Sequence, residues 1–543
     1  MESPACAQLK LDAAALQGVH LRDLLKDGER NAALCVEAEG IVFDFARQKV
    51  TTETVAHLLQ LARAADLEAK RDSMFAGDKI NLTEDRAVYH VALRAPKGSA
   101  PMVVDGVDQV PLVHDVLDRV NDFSARVRSG EWRGATGKVL KTVVAIGIGG
   151  SYLGPEFLFE ALKADPKCAA AAKGRTLKFV ANVDPVDFAR QTADLDASET
   201  LVIVVSKSFT TAETMMNAAT IKTWLLANIP DATEADVVRQ HVAAVSTKLE
   251  LTSLFGIDAA NVFGFWDYVG GRFSVHSAVG MLPLALQYGF EPMRQFLAGA
   301  HAMDLHFKTA PLEKNLPVLL GLMGLYNSTF LGFECKAILP YAQALLRFAA
   351  HVQQLDMESN GKSVKMDGTP LTHAAGEVIF GEPGTNGQHS FYQLMHQGRT
   401  VPAEFIGFAK SQAPQHVKGL PISNHDELMS NFFAQPDALA CGTADAPGHK
   451  AFAGDRPSLS LLFEDVSPFS MGQLLALYEH RVCVQGWVWG INSFDQWGVQ
   501  LGKVLAGQVS VQLAASRNAG APVAPTFNSS TAALLEKYLA KSA

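Results

Sequence analysis

The chain has 543 residues, 48% of them hydrophobic and 19% charged, with a formal net charge of −9; this composition has room for two or more cores and excludes a disordered chain. It carries no long run of Lys and Arg, which excludes a nucleic-acid footprint and requires any phosphate site to be built locally. Cys6, Cys35, Cys168, Cys335, Cys441 and Cys483 lack short paired spacings, and Met1–Pro4 opens no secretory pattern, so disulfide, zinc and export readings give way to a reducing compartment.

Residues 1 to 125 mix apolar-periodic stretches such as 55–63 with charged turns and hold one alternating piece, Ala87–Leu93, which predicts a mostly helical arm with a short strand. From 126 to 285, strands are predicted at 142–148, 177–183, 201–206 and 242–246 with helices between them, the pattern of a doubly wound parallel sheet. A second α/β region is predicted over 286–515, with strands at 333–339, 377–381, 401–408 and 458–464 and long helices near 341–355 and 468–490. Ser467 followed by Pro468 suits the start of the last. Residues 315–333 carry no charge, but Pro317, Gly321, Gly324 and Asn327–Thr329 favour a buried core helix over a membrane span. In the last part, 516–543, Pro522–Phe527 reads as a linker and 529–541 as a helix. The fold class is α/β: two doubly wound parallel-sheet domains with helical N- and C-terminal arms, whose similarity suggests an old duplication.

Ligands of open α/β sheets sit beyond the carboxyl ends of the strands, so the loops there carry the chemistry. After the first strand, Gly147, Gly149, Gly150 and Ser151 form a glycine-rich anion cradle before a helix. A dinucleotide fingerprint fails at Tyr152, and a Walker loop fails at Pro155 and Glu156, which leaves a monophosphate cradle or a turn with no ligand. Ser206, Lys207, Ser208, Phe209, Thr210 and Thr211 follow the third strand; Thr210 and Glu213 have capping-box spacing, and four hydroxyls with one lysine suit a phosphate. Arg272, beside Gly270 and Gly271, suits either a developing oxyanion or a structural ion pair, while His276 reads as a packed or capping residue. Residues 353–362 form a polar cluster in which Asp356 and Glu358 are both available as bases. His389, in the loop 381–390, suits proton transfer, and its spacing from His396 makes no metal site without further ligands.

Together these segments resemble the glucose-6-phosphate isomerase (phosphoglucose isomerase) family over essentially the whole chain. The resemblance is carried in order by Gly147–Pro155, Ser206–Thr211, Gly270–Ser274, Met357–Lys362, Gly381–His389 and Phe494–Lys503. It implies a cytoplasmic, cofactor-free and metal-free homodimer of sugar-isomerase-type domains that interconverts glucose 6-phosphate and fructose 6-phosphate in glycolysis and gluconeogenesis, with no nucleic-acid or membrane partner. It further implies phosphate held by Gly150, Ser151, Ser206, Lys207, Ser208, Phe209, Thr210 and Thr211, with Glu358 as base, Gln354 beside the sugar and Arg272 stabilising an enediolate. Gln496 lines the pocket, and His389, from the partner subunit, opens the sugar ring with Lys503. Departures from the family pattern are Gln500 for an acid, Ser208 for threonine and His276 for an aromatic residue. Acceptance of mannose 6-phosphate and a non-catalytic sugar-phosphate sensor are the alternative readings.

Overall fold

The computed structural model describes residues 3–443 and 446–542. It divides into two units, Met1–Phe494 and Asp495–Ala543.

In the first unit the strands are, in chain order, β1 (Cys35–Ala38), β2 (Ile41–Asp44), β3 (Val103–Val104), β4 (Val107–Asp108), β5 (Thr142–Ile146), β6 (Thr176–Val180), β7 (Thr200–Val205), β8 (Val242–Val245), β9 (Val262–Phe263), β10 (Cys335–Pro340), β11 (Val378–Phe380), β12 (Ala403–Phe408) and β13 (Ser458–Phe463). β3 and β4 form a small antiparallel ribbon. The five-stranded sheet runs β6-β5-β7-β8-β9 with all neighbours parallel. Every residue of β7 and β8 is buried, as strands covered on both faces require. Numbered along the chain the order is 2-1-3-4-5, so the winding reverses between β5 and β7, and the loops after those two strands flank the crevice that such a reversal opens.

The six-stranded sheet runs β1-β2-β13-β12-β10-β11, and its four parallel strands repeat the same 2-1-3-4 winding. The predicted α/β class with parallel sheets is therefore the observed one, and each predicted strand of residues 126–515 is present with ends shifted by a few residues. The N-terminal arm differs from the prediction. β1 and β2 form a hairpin that extends the larger sheet, β2 running antiparallel to β13. Its turn, Glu39–Gly40, has positive φ at both residues, and an X-Gly pair between alternating strands was the available signal. Ala87–Leu93, predicted as a strand, instead leads into a 3₁₀ turn at His90–Arg94. Its alternation carries no strand information, because residues 87–93 are all buried and no polar face alternates with an apolar one.

The helix Pro468–Trp489 starts on the predicted cap, with Ser467 and Ser470 forming a reciprocal box, and only Phe469 of its residues is exposed. It crosses Phe290–Thr309 backbone to backbone: a Cβ on Gly299 would lie 1.9 Å from the Phe469 carbonyl oxygen, and one on Gly472 would lie 2.0 Å from that of Phe296. The uncharged stretch is the fully buried helix Leu316–Leu325 followed by a π turn, Tyr326–Phe330. Among the described residues no helix is long and apolar enough to cross a membrane.

The second unit contains the turn Trp497–Val499 and the helices Gln500–Ala519 and Ser529–Lys541, with Pro522–Phe527 between the helices.

Candidate active site

The loop after β5 turns at Gly149, whose φ of +60° favours glycine, and forms a short 3₁₀ turn, Gly149–Ser151, before the helix Leu153–Leu162. Gly150 has no room for a side chain: a Cβ there would lie 2.1 Å from the carbonyl oxygen of Gly271 and 2.8 Å from the amide nitrogen of Arg272. The anion loop and the arginine turn, Gly271–Phe273, thus meet through backbone. Ser274 Oγ donates to the Gly271 carbonyl at 2.7 Å and so fixes that turn.

Across the crevice, the loop after β7 leads to the helix Ala212–Asn228. The capping box expected from Thr210 and Glu213 does not form: Thr211 is the N-cap residue and makes no side-chain cap bond. The hydroxyls pair with one another instead, Thr210 Oγ1 with Ser208 Oγ at 2.8 Å and Ser206 Oγ with Thr211 Oγ1 at 3.5 Å. The first-turn N–H groups of this helix are consequently uncapped by side chains, the arrangement in which a helix N-terminus attracts an anion. Phe209 holds φ at +51°, a left-handed conformation that costs a non-glycine residue about 1–2 kcal/mol, and its ring is anchored edge-on to Phe255 at 6.0 Å. Lys207 reaches out of the loop: its Nζ lies 3.2 Å from the Val269 carbonyl and 3.3 Å from an Asp267 carboxylate oxygen. Burial lowers its pKa, against the opposing pull of Asp267.

Glu358 and Arg272 are brought together. The predicted helix near 341–355 is a 3₁₀ turn, Gln343–Leu345, then a short α-helix, Phe348–Val352, then a π turn, Gln353–Glu358. Such wide turns are rare and recur at functional sites. Here it places Gln354 and Glu358 together, with Gln354 Nε2 donating to Glu358 Oε2 at 2.9 Å. The other carboxylate oxygen accepts from Arg272 NH1, also at 2.9 Å. Gln354 also faces the anion loop, since a Cβ on Gly149 would lie 3.1 Å from its Nε2, and its own Oε1 is buried without a hydrogen-bond partner among the described residues. The Glu358 side chain keeps 20% of its surface exposed whereas that of Arg272 keeps 1%. Arg272 is held by two further groups, donating from Nε to Ser359 Oγ and from NH2 to the Ser493 carbonyl, each at 2.5 Å. Both sequence readings of Arg272 are therefore compatible with the geometry: it is ion-paired, and the partner is the candidate base. Asp356, the other candidate base, is fully buried and turned away from this pair toward Lys336 and Arg481.

His389 ends the turn Asn386–His389 and is exposed, with no hydrogen-bond partner among the described residues. His276 is packed, as the sequence indicated, parallel to Phe296 at 4.6 Å in a fully buried group with Arg94 and Glu479. Gln496, Gln500 and Lys503 belong to the second unit, where Gln500 opens a helix and Lys503 is exposed in its first turn. Sequence reasoning did not single out Ser359 or Ser493. Ser359 adjoins Glu358 in a quoted segment, whereas Ser493 contributes a backbone carbonyl and has no residue-type signal. Among the described residues no group of three or more His, Cys, Asp or Glu is placed to hold a metal ion.

A family model described as phosphoglucose isomerase matches residues 44–535. The chain is 57% identical over 544 residues to the rice protein glucose-6-phosphate isomerase, cytosolic B, covering 98% of this chain and 95% of that one. It is 56% identical to the cytosolic glucose-6-phosphate isomerase of Arabidopsis thaliana, covering 99% and 97%. Among solved structures, a glucose-6-phosphate isomerase from Chlamydia trachomatis superposes with a TM-score of 0.87 at 32% identity, covering 100% of this chain and 99% of that one.

Proposed function

The chain belongs to the phosphoglucose isomerase family, and we infer that it interconverts glucose 6-phosphate and fructose 6-phosphate, with Glu358 as the base. The observation that carries the assignment of the base is its carboxylate held between Gln354 and Arg272 beside the Gly149–Ser151 loop. In the aldose-to-ketose direction Glu358 takes the C2 proton of the open-chain sugar. The electron pair forms the C1–C2 double bond, and negative charge collects on O1. A proton then passes from O2 to O1, and Glu358 returns its proton to C1. Arg272, fixed and desolvated, stabilises the charge on oxygen without having to reorganise. The phosphate lies between Gly150 and Ser151 on one side and the Ser206–Thr211 loop on the other, and its binding energy positions the reacting end. Lys207 contributes positive charge to that loop from its place beside Asp267. His389 and Lys503 supply the acid and base that open the ring, and Gln496 lines the pocket. The division near residues 125, 285 and 515 marks the arm, the two α/β domains and the tail. The relatives are cytosolic by name, and a cytoplasmic place follows for this chain.

Purified protein is expected to form glucose 6-phosphate from fructose 6-phosphate in EDTA, followed through a coupled dehydrogenase. A folded preparation without turnover would refute the assignment.

The protein acts as a homodimer in which His389 crosses to the partner's site. The support is its exposure and lack of a hydrogen-bond partner among the described residues, together with the family resemblance. Glu358→Gln and His389→Ala homodimers, each inactive, are unfolded together and refolded as a mixture. If His389 acts in trans, each mixed dimer has one intact site and about a quarter of wild-type activity returns. A histidine acting within its own chain restores none.

A further inference from the structure

Beneath the proposed base lies a second, hidden set of charges. The π turn that carries Glu358 also carries Asp356, whose Oδ2 lies 3.7 Å from Lys336 Nζ and 3.4 Å from Arg481 NH2. The same two cations reach Glu377 at 2.9 and 3.1 Å and Glu404 at 3.6 and 3.7 Å. Three carboxylates, from the π turn, the edge of β11 and β12, thus share a lysine of β10 and an arginine of the helix Pro468–Trp489, and all five residues are buried. Burial raises the Asp356 carboxyl to about 7 against the pull of Lys336. Such a value suits a base, but both its oxygens face protein, so its contribution is geometric.

From Asp356 a chain of contacts leads back to the catalytic pair. Asn360 Nδ2 makes a long hydrogen bond of 3.4 Å to Asp356 Oδ1 and another of 3.3 Å to the Val482 carbonyl. Ser493 Oγ donates to Asn360 Oδ1 at 2.7 Å, and the Ser493 carbonyl accepts from Arg272 NH2. Arg272 closes the ring on Glu358. Buried ion groups of this kind are weak stability devices, because desolvation cancels most of the attraction and apolar replacements are often neutral or better. Their value here lies in direction. The cluster fixes the underside of the turn whose outer side carries the base, and the Asn360–Ser493 link fixes the acceptor that aims the arginine.

We propose that Asp356 and Asn360 are positioning residues for proton transfer, holding the π turn and the Ser493 carbonyl so that Glu358 and Arg272 keep a common register toward the sugar. The proposal rests on the reading of Glu358 as the base.

Two variants break the ring at different places. Ser493→Ala removes the hydroxyl that ties Asn360 and leaves the carbonyl that Arg272 uses. Asp356→Asn keeps the shape, but its NH₂ must point either at the two cations or at Asn360 Nδ2, so one link fails. Both are measured in the full chain beside Glu358→Gln, for kcat and KM with fructose 6-phosphate, for Tm, and for the deuterium isotope effect on glucose 6-phosphate labelled at C2. The expected result is a kcat lowered about tenfold in Ser493→Ala and about 10²-fold in Asp356→Asn, with KM within about threefold of wild type. The isotope effect on kcat rises as proton transfer becomes limiting. The Tm of Asp356→Asn is held or raised, because two carboxylates then balance two cations. Normal kcat in Ser493→Ala and Asp356→Asn beside an inactive Glu358→Gln overturns the positioning role and leaves the base in place. So does a kcat that falls only with Tm and an unchanged isotope effect. Substantial turnover by Glu358→Gln overturns the reading on which the proposal stands. Should Asp356→Asn fail to fold, Ser493→Ala decides alone.

Discussion

Glu358→Gln is expected to lower kcat by about 10⁴-fold in both directions while KM for fructose 6-phosphate stays within a few-fold of wild type. A positioned general base contributes about 10²–10⁴-fold, and the upper end is expected because in the proposed mechanism one group both removes and returns the carbon-bound proton. The substitution is nearly isosteric, yet it removes an acceptor. The native carboxylate receives hydrogen bonds from Arg272 NH1 and Gln354 Nε2 on its two oxygens. A glutamine amide must turn its own NH₂ toward one of those donors, so the variant loses the base and disturbs its neighbours while the buried core is untouched. The measurement is steady-state turnover in both directions with circular dichroism to confirm the fold. A kcat within tenfold of wild type would refute the role of Glu358.

Arg272→Lys is expected to cost about 10²–10³-fold in kcat, the scale of removing one pre-organised donor from a developing oxyanion. Charge is conserved, so this tests geometry. The guanidinium uses three different nitrogens on three partners, Ser359 Oγ, Glu358 Oε1 and the Ser493 carbonyl. An ammonium is shorter and cannot reproduce that fork. The buried acceptors left without a donor cost about 1–3 kcal/mol each, so Tm falls together with kcat. Calorimetry and turnover on one preparation check both, and near-normal turnover with a lowered Tm would reduce Arg272 to a structural ion pair.

The parallel strands were legible because each is a short β-branched run bounded by turn residues, and in a sheet covered by helices burial needs no alternation. The hairpin of β1 and β2 was not read: its strands are only four residues each and carry Glu37 and Asp44 among their apolar residues. The His90 turn misled in the opposite way: its alternation was real in the sequence, but burial on every side erased its meaning. In the site, residue type and loop position marked Arg272 and offered Asp356 and Glu358 alike as bases, whereas the choice of Glu358 and the naming of Gln354 came only with the family resemblance. The π turn was not legible, because no local propensity marks a helix that widens for one turn; its Asp356 lies against ion partners far away in sequence. Thr210 shows the limit of a motif: its capping spacing to Glu213 is present, but Thr211 is the N-cap residue and the hydroxyls are turned to one another, so no side chain caps the helix.

The absent side chain at Gly150 has a consequence for substrate choice. Because its backbone rests against Gly271 and Arg272, the loop assigned to the phosphate and the turn assigned to the carbonyl end form one rigid caliper. A caliper of fixed opening counts carbons. On the roles proposed for these residues, a sugar phosphate one carbon shorter is expected to seat its phosphate or present its carbonyl to Arg272 but not both, so discrimination by chain length would require no pocket wall.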